Sequence, residues 1–455
     1  MEVSGGQMVF GLLVGITLLI TLILKTKIHA FLSLIIASAV TGLIGGMPPN
    51  AVLNSITAGF GGTLGSIGII IGFGVMMGQI FELSGAAEKM ALTFIKKFGK
   101  GKEEIALAIT GFLVSIPIFC DSGFVILSPL AKAISRKTKK SVITLGVSLA
   151  AGLVITHSLV PPTPGPVGVA GIFGINVGSL ILWGIVLSIP MTIATLLYSR
   201  CIGNKIYQIP TEDGLGWERP EYQEPVYNLV YEEYERELPS TFMSFAPIII
   251  PIILILLNTV TSTFGVEGSV VSLINFIGAP VIAVGIGLII SIYGLAGRFS
   301  REETLEHMEN GIKSAGIILL VTGGGGALGA VLRESGAGDY IANLITKTAI
   351  PPMLLPFIIS TLVRLIQGSG TVAMITAASI TAPILAGLNV NPVFGALSAC
   401  IGSLMFSHFN DSFFWVVNRI LGITDAKEQM QVWSVTTTIA WAVGLVELLI
   451  VSAIF

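Results

Sequence analysis

Charge is scarce in this 455-residue chain. Only 11% of its residues are charged, against roughly 25% in soluble domains, and that deficit excludes a water-solvated globular surface. The net charge of -2 and the absence of a long basic block exclude a phosphate backbone as partner, so no nucleic acid is expected. Cysteine is equally scarce. Cys120, Cys201 and Cys400 are scattered without CxxC spacing, which leaves no disulfide framework and no zinc site; no metal or cofactor is expected. MEVSGGQMVF lacks a basic leader and a small-residue cleavage site, so the first apolar run is expected to be retained as a span. What the chain has is apolar length: 53% hydrophobic residues, 54 glycines and a mean hydropathy of +0.89. This is the composition of an all-α polytopic membrane protein.

A helix needs about 20 apolar residues to cross roughly 30 Å of hydrocarbon. Such runs lie near 8–24, 28–46, 64–83, 141–160, 178–198, 243–258, 270–296, 314–332, 391–407 and 432–454, which makes about ten crossings. Two further stretches, 105–131 and 350–386, do not fit as simple spans. Lys96, Lys97, Lys100 and Lys102 precede the first, and Lys132, Arg136, Lys137, Lys139 and Lys140 follow it, so both its ends should be cytoplasmic. It reads as a re-entrant hairpin with Pro117 and Gly123 interrupting it midway. Non-helical backbone survives at membrane depth only beside protein or a water-filled cavity, which makes the hairpin tip a candidate site.

This topology puts 21 of the 24 Lys and Arg residues in the cytoplasm, all but Arg333, Lys347 and Arg364. It leaves none in the outer loops near 47–60, 161–177 and 259–269, the asymmetry that the positive-inside rule requires. Between residues 200 and 240, nine acidic residues and five of the eight tyrosines mark a cytoplasmic linker, expected to be a solvated connector. The chain thus divides into a first transmembrane repeat over 1–200, an acidic linker over 201–240 and a second repeat over 241–455.

The two halves echo each other in order. Ser84-Gly85-Ala86 is matched by Ser335-Gly336-Ala337, Ser122-Gly123 by Ser369-Gly370, and Thr156-His157 by Ser407-His408, at offsets of 251, 247 and 251 residues. Five spans per half is an odd number, which inverts the second half relative to the first. Two inverted-topology repeats follow, each with a re-entrant hairpin and a broken helix, and a substrate site at their interface near the bilayer midplane.

The residues that could carry chemistry cluster at these breaks. Asp121 lies at the first hairpin tip in IPIFCDSGFVILSPL, where an ionised carboxylate is costly unless it meets a cation, a proton or water; proton coupling and helix capping are both open to it. Ser122 and Gly123 would leave hydroxyl and backbone N–H groups at a helix start, which attracts an anion. His157 precedes Pro161, Pro162, Pro164 and Pro166, which must end or break the fourth span. Its mate His408, with Asn410 and Asp411 following, favours a functional role for both histidines. Arg364 is the cation expected well inside an apolar segment, where it would take either a substrate carboxylate or a structural acid and backbone carbonyls. Gln367, Ser369, Gly370 and Thr371 follow as small or polar groups suited to an anion pocket. The run Gly323–Gly326 lacks the Lys-Ser or Lys-Thr of a phosphate loop and reads as close helix packing or a hinge. Glu82 and Asp339 are expected at the membrane interface.

IFCDSGFVILSPL, THSLVPPTPGP, RLIQGSGTVA and SHFNDSFFW, taken in this order over nearly the whole chain, resemble the gluconate permease family of the ion transporter superfamily. The resemblance implies secondary active import of a small hydroxylated or amino monocarboxylate, such as gluconate, glycerate, hydroxybutyrate or D-serine. It implies proton symport across the bacterial inner membrane, by alternating access of an elevator type, in a homodimer with scaffold and transport parts. Members of the gluconate type tend to carry an acid followed by Val-Gly in the first hairpin and a histidine in the proline cluster. Here these positions read Asp121-Ser122-Gly123 and Thr163, which points to an acid smaller than gluconate.

Ser122, Gly123, Thr163, Arg364, Gln367, Ser369, Gly370, Thr371 and Asn410 are then the expected substrate contacts, and Asp121, His157, His408 and Asp411 the proton-coupling groups. One alternative keeps the fold and couples to sodium through hairpin carbonyls and the Ser-Gly pairs. A membrane-embedded hydrolase using Ser122, Asp121 and the histidines lacks a GxSxG elbow, and duplicated motifs suit alternating access better than single-sided catalysis, so no enzyme is expected. A passive channel would not accumulate solute uphill.

Overall fold

The computed structural model describes residues 5–98, 101–211, 216–221, 238–263, 268–335, 351–388 and 390–454. Two helices, Pro49–Ser84 of 36 residues and Arg301–Glu334 of 34, pack along each other. The first starts on a proline, whose missing N–H costs nothing in the first helical turn. The second starts on a reciprocal capping box between Ser300 and Glu303. They meet backbone to backbone: a Cβ on Gly59 would stand 2.5 Å from the Gly326 carbonyl oxygen, and one on Gly326 2.7 Å from that of Gly59. Gly323 faces Phe60, Gly324 faces Phe31 and Leu34, and Gly325 faces Ser379 and Ile375, so the four-glycine run serves close packing. Residues 49–60, expected as an outer loop, are the first turns of the long helix. Asn50, Asn54 and Gly59 lower the local hydropathy, but the helix is held by what it packs against.

Around this pair stand helices Gly5–Lys25, Ala30–Ile44, Thr241–Thr263 and Pro280–Gly294 on one side. The run near 270–296 is bent by 63° between Ser269–Ile277 and Pro280–Gly294. On the other side lie interrupted elements. Glu103–Val114 and Cys120–Thr138 are separated by non-helical residues centred on Pro117. Val142–Leu159, buried nearly all round, stops before the proline cluster, and Pro164–Phe173 resumes with its prolines in the first turn. Leu354–Gln367 and Gly370–Ala386 are parted by Gly368 and Ser369; Pro392–Gly402 and Ser412–Ile420 enclose an irregular segment. Ala86–Phe98, Val177–Lys205 and the terminal Ala426–Ile454 are the remaining helices among the described residues, the last widening into a π turn at Met430–Ser434. Among the described residues, six helices are long and apolar enough to cross a membrane, or seven counting the bent pair. Gly336, Ala337, Asp339 and Lys347 lie outside the described residues.

The side of interrupted helices is tied together at its charged end. Glu103 and Glu104, whose side chains are 1% and 3% exposed, share Lys140, at 2.9 Å for Glu103. Arg200 adds a second contact to Glu104 at 2.7 Å. Buried carboxylates are tolerated only when paired in this way. The linker begins docked and not as a solvated connector: Gln208 is buried and donates to the Leu421 carbonyl at 2.6 Å, and Arg219 forks onto Glu428 at 2.7 and 2.9 Å. That hydrogen bond raises the Arg219 guanidinium above its ordinary value.

Gly78 carries the long helix past the first interruption, where a Cβ would lie 2.2 Å from the Pro117 carbonyl oxygen. Neither backbone can yield cheaply, so Gly78→Ala is expected to cost about 1–3 kcal/mol by overpacking. Thermal unfolding of the purified protein measures it. Gly72→Ala, where nothing lies within 4 Å, is the control expected not to lower the midpoint, since alanine favours the helix.

Candidate functional site

A cavity of about 320 Å³ is lined from four helix interruptions, at Cys120–Asp121, after His157, at Gly368–Ser369 and around Asn410–Ser412. Asp121 enters it from the first turn of Cys120–Thr138, where the helix dipole favours negative charge. Its Oδ1 is buried and has no hydrogen-bond partner. His157, near the end of Val142–Leu159, contributes a second unpartnered buried atom, Nδ1, with its ring 5.8 Å from that of Phe119.

Arg364 contributes a third, Nε. The side chain is 6% exposed, and its two outer nitrogens are engaged: one donates to the Gly368 carbonyl, the other to Asp411 Oδ2 at 2.5 Å. Gly368 closes the helix with φ of +89°, and a Cβ there would also stand 2.2 Å from the Asn410 carbonyl oxygen, so only glycine fits. Ser369 then caps Gly370–Ala386, accepting from the Val372 N–H at 3.3 Å. Gly370 and Thr371 place the positive end of that helix against the cavity, a ready anion site.

Asp411 caps Ser412–Ile420 through Oδ1, which accepts from the Phe413 N–H at 3.2 Å, while Oδ2 takes both Arg364 and the Ser407 hydroxyl. Of the two readings open to Arg364, the structural acid and carbonyl are the ones present in this conformation. Asn410 lines the cavity and donates to the Leu365 carbonyl at 3.1 Å.

Other expected site residues stand apart. His408 Nε2 lies 3.0 Å from the same Leu365 carbonyl and does not line the cavity. Gly123 packs against Leu153, and Ser122 is half-buried beside it, away from the lining. Thr163 donates to the Val160 carbonyl at 2.7 Å and borders a small void shared with His157 and Pro117. The Gln367 side chain lies outside the described residues.

The lining also includes Cys120, Ser158, Ser403, Ser412 and Thr437, which sequence reasoning passed over. Cys120, Ser158 and Ser412 adjoin residues that were singled out, and adjacency was a usable signal. Ser403 and Thr437 sit inside apolar runs with nothing to mark them. A second cavity of about 480 Å³, between the two long helices and Pro164–Phe173, holds Arg333 and Glu334 but none of the expected site residues.

The model of the GntP family permease matches residues 7–454. The chain is 51% identical over 454 residues to an uncharacterized permease of Haemophilus influenzae, covering 98% of this chain and 92% of that one. It is 34% identical over 445 residues to the high-affinity gluconate transporter of Escherichia coli K12, covering 97% and 98%. Among solved structures, the Alcanivorax borkumensis YdaH transporter matches with a TM-score of 0.63 at 16% identity, over 91% of this chain and 97% of that one. At that identity the likeness speaks for the fold.

Proposed function

Because this chain belongs to the GntP permease family and is a multi-pass membrane transporter, not an enzyme, we propose that it imports a small hydroxylated monocarboxylate by proton symport. The observation that carries the reading is the convergence of three buried, unpartnered polar atoms, Asp121 Oδ1, His157 Nδ1 and Arg364 Nε, on residues lining one cavity. Buried polar groups without partners cost free energy, and a ligand bearing oxygens relieves it. Ser369, Thr371, Ser403, Asn410 and Ser412 supply further partners for hydroxyls.

The proton follows from charge. Asp411 and Arg364 compensate each other, which leaves Asp121 as the unbalanced acid of the lining. A second carboxylate about 5 Å away would be repelled by roughly 3 kcal/mol at an effective dielectric of about 20. A proton carried in with each anion removes that repulsion, and Asp121 is the group that takes it, with His157 beside it. Both interruptions belong to hairpins that enter from opposite faces of two inverted repeats, 1–200 and 241–455, joined by the linker 201–240. Alternating access moves the interrupted helices past the long pair in an elevator-like step, in a homodimer of the bacterial inner membrane.

Thermal unfolding in detergent tests the substrate class. Saturation at about a hundred times Kd stabilises the folded state by about 2.7 kcal/mol, a rise of several degrees for a chain this size. Gluconate, glycerate or 3-hydroxybutyrate is expected to give that rise and succinate is not. A shift with succinate alone would remove the monocarboxylate reading, and a shift that requires sodium would replace the proton with the sodium ion.

A further inference from the structure

Three polar groups of Ser407 are held by one stretch of the terminal helix. Its N–H donates to Thr437 Oγ1 at 3.0 Å, its carbonyl accepts from the Ser434 hydroxyl at 2.5 Å, and its hydroxyl oxygen accepts from the Trp433 indole N–H at 2.9 Å. An indole N–H only donates, so the Ser407 oxygen is the acceptor in that contact and its own proton is directed elsewhere. It goes to Asp411 Oδ2, the oxygen that also takes Arg364.

Trp433 is wholly buried, edge-on to Phe413 at 5.1 Å, in the π turn Met430–Ser434. Single π turns inside α-helices recur at functional sites because they re-aim the side chains around them. Neither Trp433 nor Ser407 lines the cavity, so what they do to it passes through Asp411.

We propose that Trp433 is a positioning residue for substrate binding. Through Ser407 it fixes Asp411 in the orientation that occupies one outer nitrogen of Arg364, and so holds the guanidinium, whose Nε is buried without a partner, in a set pose beside the cavity. The inference deepens the transport reading given above and rests on it. Without the indole N–H, the Ser407 hydroxyl is free to turn from Asp411, and Arg364 loses its fixed approach.

The test is a mutant cycle read two ways. Trp433→Phe keeps the ring and deletes the donor; Ser407→Ala deletes the relay; Ser407→Thr keeps a hydroxyl. In counterflow of labelled gluconate, glycerate or 3-hydroxybutyrate into proteoliposomes, whichever the unmodified protein exchanges, Trp433→Phe and Ser407→Ala are each expected to raise KM about tenfold with Vmax within about twofold. The double variant should be no worse than either single one, and Ser407→Thr should return KM to that of the unmodified protein. In an Asp411→Asn background, Trp433→Phe should add nothing. Thermal unfolding of the same variants should show the same non-additivity, whatever is transported. Additive losses in either readout, or a fall in Vmax at constant KM, would overturn the proposal. Absence of counterflow of gluconate, glycerate and 3-hydroxybutyrate alike in the unmodified protein would count against the substrate reading, and the unfolding cycle would still decide the chain.

Discussion

Asp121→Asn is expected to abolish uphill accumulation while sparing exchange. The substitution keeps the volume and the hydrogen-bonding capacity of the side chain but removes its ability to pick up and release a proton. In symport of one proton with one monoanion, a one-unit pH gradient supplies about 1.4 kcal/mol, enough for about tenfold accumulation. The variant should therefore fall from about tenfold accumulation to none, because the anion can no longer be carried with a proton on this residue. Counterflow, in which labelled substrate enters against unlabelled substrate leaving, needs no net proton movement and should survive. The two assays on one preparation separate lost coupling from lost binding. Accumulation undiminished in Asp121→Asn would take Asp121 out of the coupling role and pass it to His157, the other unpartnered group of the lining that can bind and release a proton at ordinary pH.

The second large effect is expected at Arg364. Replacement by Gln strips Asp411 of its counter-charge in a site where both side chains are nearly inaccessible, at 6% and 11% exposed. Breaking one partner of such a pair costs about 3–5 kcal/mol, since the remaining charge stays buried and uncompensated. The unfolding midpoint should fall accordingly, and uptake should drop by at least about a hundredfold. Arg364→Lys should recover part of the stability but little transport. A single ammonium cannot reach both the Gly368 carbonyl and Asp411 in the planar fork that the guanidinium provides. The double variant Arg364→Gln, Asp411→Asn removes both charges and should regain most of the stability while staying inactive. Near-normal uptake in Arg364→Gln would show that the cation is structural only.

What could be read from the sequence depended on whether its cause was local. Proline in the middle of an apolar run has local consequences, and the helix interruption over 115–119 is centred on Pro117. The prolines after His157 end one helix and start the next for the same reason. Mean hydropathy misjudged residues 49–60 because Pro49, Asn50, Asn54 and Gly59 look like a loop; they are helical through contact with Gly326, some 270 residues away, which no window can see.

At the site, the residue types at the breaks drew attention to Asp121, His157, Arg364 and Asp411, and all four line the same cavity. The state of Arg364 was beyond sequence, because a carboxylate from Asp411 and one from a substrate call for the same fork. Trp433 and the link from Ser407 to Asp411 were invisible for a different reason. Their polar atoms are single groups in apolar or aromatic surroundings, and only the π turn aims the indole at the hydroxyl that reaches Asp411.

Proton flux on addition of substrate is the most direct test of the account. Proteoliposomes with an entrapped pH dye are given gluconate, glycerate and 3-hydroxybutyrate in turn, with no imposed ion gradient. Electrical recording would miss the event, since one proton moving with one monoanion carries no net charge. Internal acidification is expected to follow at least one of these acids and to be absent both from protein-free vesicles and from Asp121→Asn. Entry of a labelled acid from this panel with the internal pH unchanged would contradict it.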